Sequence, residues 1–226
     1  MPEFNLLSSV PRIQRNVSAR LRDKSENRAL SCQFGEAYFD GTREQGYGGY
    51  VYDGRWQKVA KTARDRYGLK AGDRVLDIGC AKGFFVHDLM KVVPGLVARG
   101  IDISEYAIDK SLSDVRANIQ QGSAEDLPFE NDSFDAVFSI NTIHNLDHTG
   151  CVKALREMAR VCKVPENCFV QVDAYRTSQE RELFEAWMLT AKTYGMPSDW
   201  HAIFSEADYR GDFFWTILEF EENSND

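Results

Sequence analysis

The tightest constraint on this chain is the stretch Arg74-Val-Leu-Asp-Ile-Gly-Cys-Ala-Lys-Gly-Phe-Phe-Val-His-Asp-Leu-Met90. Val75, Leu76 and Ile78 make a short apolar run, the pattern of a parallel strand buried on both faces. Asp77 interrupts the run near its end. Gly79 and Gly83 bracket a turn, and from Phe84 the apolar residues Phe85, Leu89, Val92 and Val93 recur at helical spacing. Strand, glycine turn and helix open a βαβ unit, which binds a nucleotide-like ligand beyond the carboxyl ends of its strands. Glycine at position 79 permits a positive φ and lets a ligand approach the main chain. The helix start offers N–H groups to an anion.

A dinucleotide fingerprint requires glycine at positions 79, 81 and 84. This chain has Gly79, Ala81 and Phe84, which disfavours a nicotinamide oxidoreductase. The pattern acid-x-Gly-x-Gly-x-Gly reads Asp77, Gly79, Ala81 and Gly83, with only the middle glycine replaced. On these residues the chain resembles the class I S-adenosylmethionine (SAM)-dependent methyltransferases, in the small-molecule branch with a methyltransferase-11-like core. The resemblance implies an α/β fold: a Rossmann-like, mostly parallel sheet of six or seven strands flanked by helices. The related fold closes with two strands, one antiparallel. The resemblance also implies SAM as cofactor, held at the turn by Asp77, Gly79, Cys80 and Gly83.

Leu96 to Ile103 reads as a second strand ending in Asp102, which lies 19 positions beyond Gly83 (102 − 83). A carboxylate there accepts hydrogen bonds from both ribose hydroxyls, with Ile103 beside it. Ser104 suits the N-cap of a helix over 104–112. A third strand is expected over 115–120. The tract Gly122-Ser-Ala-Glu-Asp-Leu-Pro-Phe129 resembles the family's adenine loop, with Ser123 in place of the usual acid. That likeness implies backbone N–H groups from Ala124 and Glu125 on the ring, and Ser123 near its exocyclic amine. Ser133 to Ile140 is a fourth strand, leading into Asn141 on the cofactor side. A fifth strand spans Cys168 to Tyr175. The rim formed by these two strand ends holds His144, Asn145 and Tyr175 as catalytic candidates and Arg176 as a substrate contact. His144 and His148 are four apart, but no acidic helper accompanies them, so no metal is expected.

Residues 1 to about 30 carry Arg12, Arg15, Arg20, Arg22, Lys24 and Arg28 and read as a flexible or loosely docked arm. Glu36 to Trp56 is rich in glycine and aromatics and does not read as a regular helix. Its Gly-Tyr-Gly-Gly-Tyr…Asp-Gly-Arg-Trp pattern is similar to a segment found in a loosely defined group of small-molecule methyltransferases. Two readings stand: a flap over the core, or a lid over cofactor and substrate, with Tyr47, Tyr50, Tyr52 and Trp56 around a cation or an apolar methyl group. The expected division is residues 1–54 as arm and lid, and 55–226 as the SAM-binding domain. Helices are expected over 55–67, 149–163, 178–194 and from Pro197. A last strand is expected over 213–220, followed by a loose acidic tail.

At 226 residues with 43% hydrophobic side chains, the chain suits one α/β domain with a terminal extension. A net charge of -8 disfavours a broad phosphate-binding face, and so nucleic acid as partner. The five cysteines form no C-x-x-C pair, so no disulfide framework or zinc knuckle is indicated. No signal peptide and no apolar run of membrane-spanning length stands out, so the expectation is a soluble cytoplasmic protein, monomer or homodimer. The expected function is SAM-dependent methyl transfer to an amine or hydroxyl of a small polar molecule. The alternatives are an RNA methyltransferase and a non-catalytic SAM-binding partner subunit.

Overall fold

The computed structural model describes residues 1–10 and 17–218. Among the described residues there are six strands: β1 Arg74–Ile78, β2 Val97–Asp102, β3 Ile119–Gln121, β4 Ala136–Ile140, β5 Cys168–Asp173 and β6 Asp212–Thr216. They form one sheet in the order β3-β2-β1-β4-β5-β6, and every pairing is parallel. The apolar run Val75–Ile78 is buried throughout because β1 lies at the centre with layers on both faces. Chain order reverses between β1 and β4, which places a ligand crevice at their carboxyl ends.

The helices are α1 Lys24–Ser31, α2 Glu36–Asp40, α3 Trp56–Tyr67, α4 Phe84–Val92, α5 Glu105–Asp109, α6 His148–Val161, α7 Ser178–Trp187 and α8 Pro197–Glu206. On one face Val59 and Ala63 of α3 and Phe85 and Leu89 of α4 pack on Val75, Phe138 and Phe169. On the other, Leu155 and Met158 of α6 and Trp200 and Phe204 of α8 pack on Leu76, Val137 and Val170.

Several expected elements are shorter. The resemblance implied a closing antiparallel strand, but among the described residues the sheet closes on β6 alone, parallel to β5. The start of the chain covers its outer edge: Phe4 N donates to Phe213 O (2.9 Å) and Phe213 N to Pro2 O (3.3 Å). The expected strand 115–120 is a 3-10 turn at Arg116–Asn118 followed by β3. Val115 and Ile119 both bury against Gly83, and a helical turn brings residues four apart to one side. Helix α5 stops at Asp109 and is capped by Ser104 Oγ, which accepts from Ala107 N (3.0 Å). The glycine-aromatic segment does contain a helix, the five-residue α2.

Helix α7 ends at Trp187, well short of residue 194, and the basic arm explains why. Arg20 Nη1 donates to Trp187 O (3.2 Å) and Lys24 Nζ to Glu185 O and to Ala186 O (2.6 Å). Arg28 Nη1 donates to Met188 Sδ (2.8 Å). Three cations spaced four apart thus meet the carbonyl end of α7, where the helix dipole is negative. Residues 20–28 are therefore docked by side-chain bonds rather than loose. Arg12, Arg15, residues 219–220 of the expected last strand and the acidic tail lie outside the described residues.

Candidate functional site

The site grows from the turn after β1. Gly79 N and Cys80 N both donate to Ile101 O (2.8 and 3.1 Å), Ala81 N to Asp102 Oδ2 (2.7 Å) and Gly83 N to Cys80 O (2.9 Å). These amides are spent inside the turn and on β2, so none of the four is open to a ligand. Gly79 has φ +77, and a Cβ there would lie 2.1 Å from Thr142 Oγ1. Its missing side chain makes room for Thr142, beyond β4, as well as for the turn itself. At Gly83 a Cβ would lie 2.3 Å from Ile119. Ala81, in place of the family glycine, also holds a left-handed conformation (φ +48). The bond from its amide to Asp102 helps to hold it there.

Two carboxylates lie beside this turn. Asp77, at the end of β1, is buried. Burial and then the charge of Asp102 push its pKa to about 8. Asp102 ends β2, with Oδ1 accepting from Ser104 N (2.8 Å) and Oδ2 from Ala81 N. Burial raises its pKa, and the amides of Ser104, Ala81 and Ile103 oppose the rise. A carboxylate has about four lone-pair positions, so the amides of Ser104, Ala81 and Ile103 leave room for about one further bond. Cys80 points away from the crevice, into the space left by Gly100 on β2. Burial and both acids push its thiol up.

Next to Asp102, Ile103 is 59% exposed and presents an open apolar surface. In the following loop Ser123 Oγ accepts from Glu125 N (3.1 Å). That bond takes up the Glu125 amide expected on the ring. The Glu125 carboxylate instead packs near Gly150 at the start of α6.

At the rim, Asn141 has φ +54, and its Oδ1 accepts from Thr216 Oγ1 (2.7 Å). His144 is buried. Asp173 N donates to its Nδ1 (3.1 Å), so Nε2 carries the hydrogen and lies 3.4 Å from Asp173 Oδ2. Burial lowers its pKa against the pull of Asp173. The ring is neutral with both nitrogens engaged, which suits positioning rather than proton uptake. Asn145 Oδ1 is buried with no hydrogen-bond partner. Tyr175 packs against Tyr194 (6.5 Å between rings) and under Arg181, while the exposed Arg176 donates its amide to Glu180. The partners of these two residues lie on α7 and the segment after it, not at the glycine turn.

The glycine-aromatic segment covers the turn. Tyr50 stacks on Phe84 (4.8 Å, 12°) and lies 4.5 Å from Tyr47, while Trp56 packs on Phe85 (5.4 Å). Phe39 packs with Ala81 and Ala107. The Tyr50 hydroxyl is pushed well up by burial, then by Tyr47 and Asp77. Lys82 holds the cover down. Its Nζ donates to both oxygens of Asp40 (2.7 and 2.7 Å) and to Tyr50 O (2.9 Å). Tyr106 OH adds a bond to Asp40 (2.8 Å). Sequence reasoning missed Asp40, Lys82, Thr142, Gln171 and Thr216. Lys82 alone stood within a motif, and no spacing rule links it to Asp40.

Residues 75–165 match a family model described as Methyltransferase domain. Over 114 residues the chain is 35% identical to a cycloartenol-C-24-methyltransferase of Arabidopsis thaliana, covering 45% of this chain and 31% of that one. It is 36% identical to the uncharacterized methyltransferase YcgJ of Bacillus subtilis, covering 52% and 45%. A demethylmenaquinone methyltransferase of Symbiobacterium thermophilum is 30% identical, covering 54% and 50%. The chain thus spans half or less of the length of each of these relatives. Among solved structures, the complex between the Haloferax volcanii Trm112 methyltransferase activator and a methyltransferase is similar in fold. Its TM-score is 0.53 at 24% identity, covering 66% of this chain and 65% of that one.

Proposed function

We propose that this chain, which belongs to the class I SAM-dependent methyltransferases by its methyltransferase domain and parallel sheet, moves a methyl group to an amine or hydroxyl of a small polar molecule. The observation that carries the reading is the pair of buried acids, Asp77 and Asp102, beside the glycine turn and under an aromatic cover.

The residues present fit SAM. Asp102 retains acceptor capacity for a ribose hydroxyl. Ile103 offers a flat apolar face to adenine, and the Ala124 amide and Ser123 border it. Asp77 suits the cofactor's ammonium group. Glutamate 125 would contribute through its position in the loop rather than through its amide. When bound, SAM supplies an electrophilic methyl on a sulfonium. The protein's part is to orient a nucleophile and exclude water. The Tyr47 and Tyr50 rings serve the second task. At the rim, Asn141 and Asn145 serve the first, His144 braces the end of β5, and Tyr175 and Arg176 form the outer wall. Within residues 1–54, the glycine-aromatic segment caps the site, while the chain start borders β6 and the basic arm docks on α7.

The aromatic cover over the glycine turn supports a small acceptor over RNA. Among the described residues no helix is long and apolar enough to cross a membrane. We read the chain as acting alone or as a homodimer, and light scattering would expose a bound activator subunit. Calorimetry with SAM and NAD, followed by labelled-methyl transfer to a metabolite library and to bulk RNA, tests the proposal. We expect SAM binding and transfer to a small molecule. Binding of NAD without SAM, or transfer to RNA alone, would overturn it.

A further inference from the structure

We propose that Gln171, aligned through Thr216 and Asn141, receives an N–H or O–H hydrogen of the methyl acceptor. This rests on the cofactor reading above and assigns the acceptor a contact on β5.

Side chains alternate along β5: Cys168, Val170 and Val172 face α6 and α8, and Phe169 and Gln171 face the other layer. Gln171 lies level with Ile140 of β4 and Phe214 of β6, near the carboxyl ends where ligands bind. Its Nε2 donates to Thr216 Oγ1 (2.9 Å), which in turn donates to Asn141 Oδ1 (2.7 Å). A hydroxyl has one hydrogen. Because Gln171 arrives as a donor, that hydrogen goes to Asn141, and the direction of the whole chain is set. Gln171 Oε1 is then left buried with no hydrogen-bond partner, on a side chain only 6% exposed.

Turning the amide over does not remove the problem. The NH2 group would then be the orphan, and unless Asn141 were turned as well the hydroxyl would face two acceptors with one hydrogen. A buried carbonyl without a donor lowers stability, and native structures hold few of them. The same network contains a second liability, the left-handed backbone of Asn141. Costs of this kind gather at functional sites. Asn145 Oδ1 at the same rim, and Ser9 Oγ, Ser111 Oγ, Ser139 Oγ and Asp88 Oδ2 elsewhere, are also orphaned, but no bond among the described residues fixes which way the Asn145 amide faces. Ser139, however, faces the α6 side of the sheet, and the other oxygen of Asp88 is held by Tyr52 OH (2.7 Å). Gln171 is the orphan that combines a carboxyl-end position with a fixed direction. Holding Asn141 Oδ1 toward Thr216 also turns the NH2 of Asn141 away from it, giving the rim a donor to accompany the Gln171 acceptor.

The test uses the full chain and the variants Gln171→Met and Thr216→Val. Methionine keeps the volume and removes both the orphaned oxygen and the bond to Thr216. We expect the melting temperature of Gln171→Met to equal or exceed that of the wild type. Affinity for S-adenosylhomocysteine, by calorimetry, should stay within about twofold in both variants. Labelled-methyl transfer to catechol, 4-hydroxybenzoate, histamine and ethanolamine should fall at least about tenfold in Gln171→Met for every probe the wild type methylates, the loss of a tenfold factor that one good contact supplies. Thr216→Val should show a smaller loss. A melting temperature more than about 4 °C lower in Gln171→Met would make the amide structural and overturn the proposal. Undiminished transfer would do the same. If the wild type binds no S-adenosylhomocysteine, the cofactor reading fails instead, and the melting result still decides the role of Gln171.

Discussion

The glycine turn and the aromatic cover above it are built in opposite ways. The turn satisfies itself locally: its amides end on Ile101, Cys80 and Asp102, all on or between neighbouring strands. The cover and its arm are held by distant partners, such as Asp40 to Lys82, 42 positions away, and Arg20 to Trp187, 167 positions away. A locally satisfied element keeps its geometry when its surroundings move. An element held by distant side chains can be released by breaking a few of them. We therefore propose the turn as the fixed part of the site and the cover as its movable part.

The sharpest way to break this contrast is to disturb the fixed part. Gly79→Val places a side chain 2.1 Å from Thr142 at a φ of +77. We expect a cost of about 3 kcal/mol in stability and no measurable SAM binding. A melting curve and calorimetry check both, and unchanged values would mean that Thr142 yields and the turn is not rigid. Asp102→Ala should weaken SAM binding by about 1.5–3 kcal/mol, the scale of hydrogen bonds to a charged group. Unchanged affinity would remove the ribose role.

Asp77 gives the third test. Burial holds its pKa at about 8, so below that pH the free protein carries a proton there. A cationic ligand group favours the ionised form, so binding expels the proton. SAM affinity should therefore rise with pH by up to about 1.4 kcal/mol per unit and level off above pH 8. Asp77→Asn should flatten that rise between pH 6 and 8. A slope that survives the substitution would assign the proton elsewhere.

The smallest expected effect comes from the movable part. Lys82→Met removes a shielded ion pair whose Asp40 partner is partly exposed. A loss of about 1 kcal/mol is expected. The change should appear as faster protease cleavage within residues 41–54 and faster S-adenosylhomocysteine release, with hydrogen exchange in β1 and α4 unaltered. Equal slowing or quickening in both regions would erase the distinction between them.

Legibility in the sequence followed the same division. Asp77, Gly79, Gly83 and Asp102 were readable because a strand, a turn and a helix in succession fix their relative positions within one βαβ unit. The roles of their backbone groups were not. Whether the amides of Gly79, Cys80 and Glu125 were open depended on Ile101 and Ser123, which the motif pattern does not weigh. His144 was legible as a rim residue but not as a neutral ring braced against Asp173, because burial and the facing amide set its state. Gln171 and Thr216 carried no signal, since a single polar residue in an apolar strand takes its meaning from the strand beside it.

The sequence by itself determined the parallel α/β architecture, the order of the ligand-facing loops and the two acids of the crevice. These follow from local hydrophobic period, glycine placement and short spacing along the chain. Only the tertiary structure decided that the basic arm docks on the end of α7, that Lys82 pins the cover, and that three strand ends align one amide chain. Each depends on side chains far apart in sequence, whose meeting is set by the packing of helices on the sheet rather than by any local preference of the backbone.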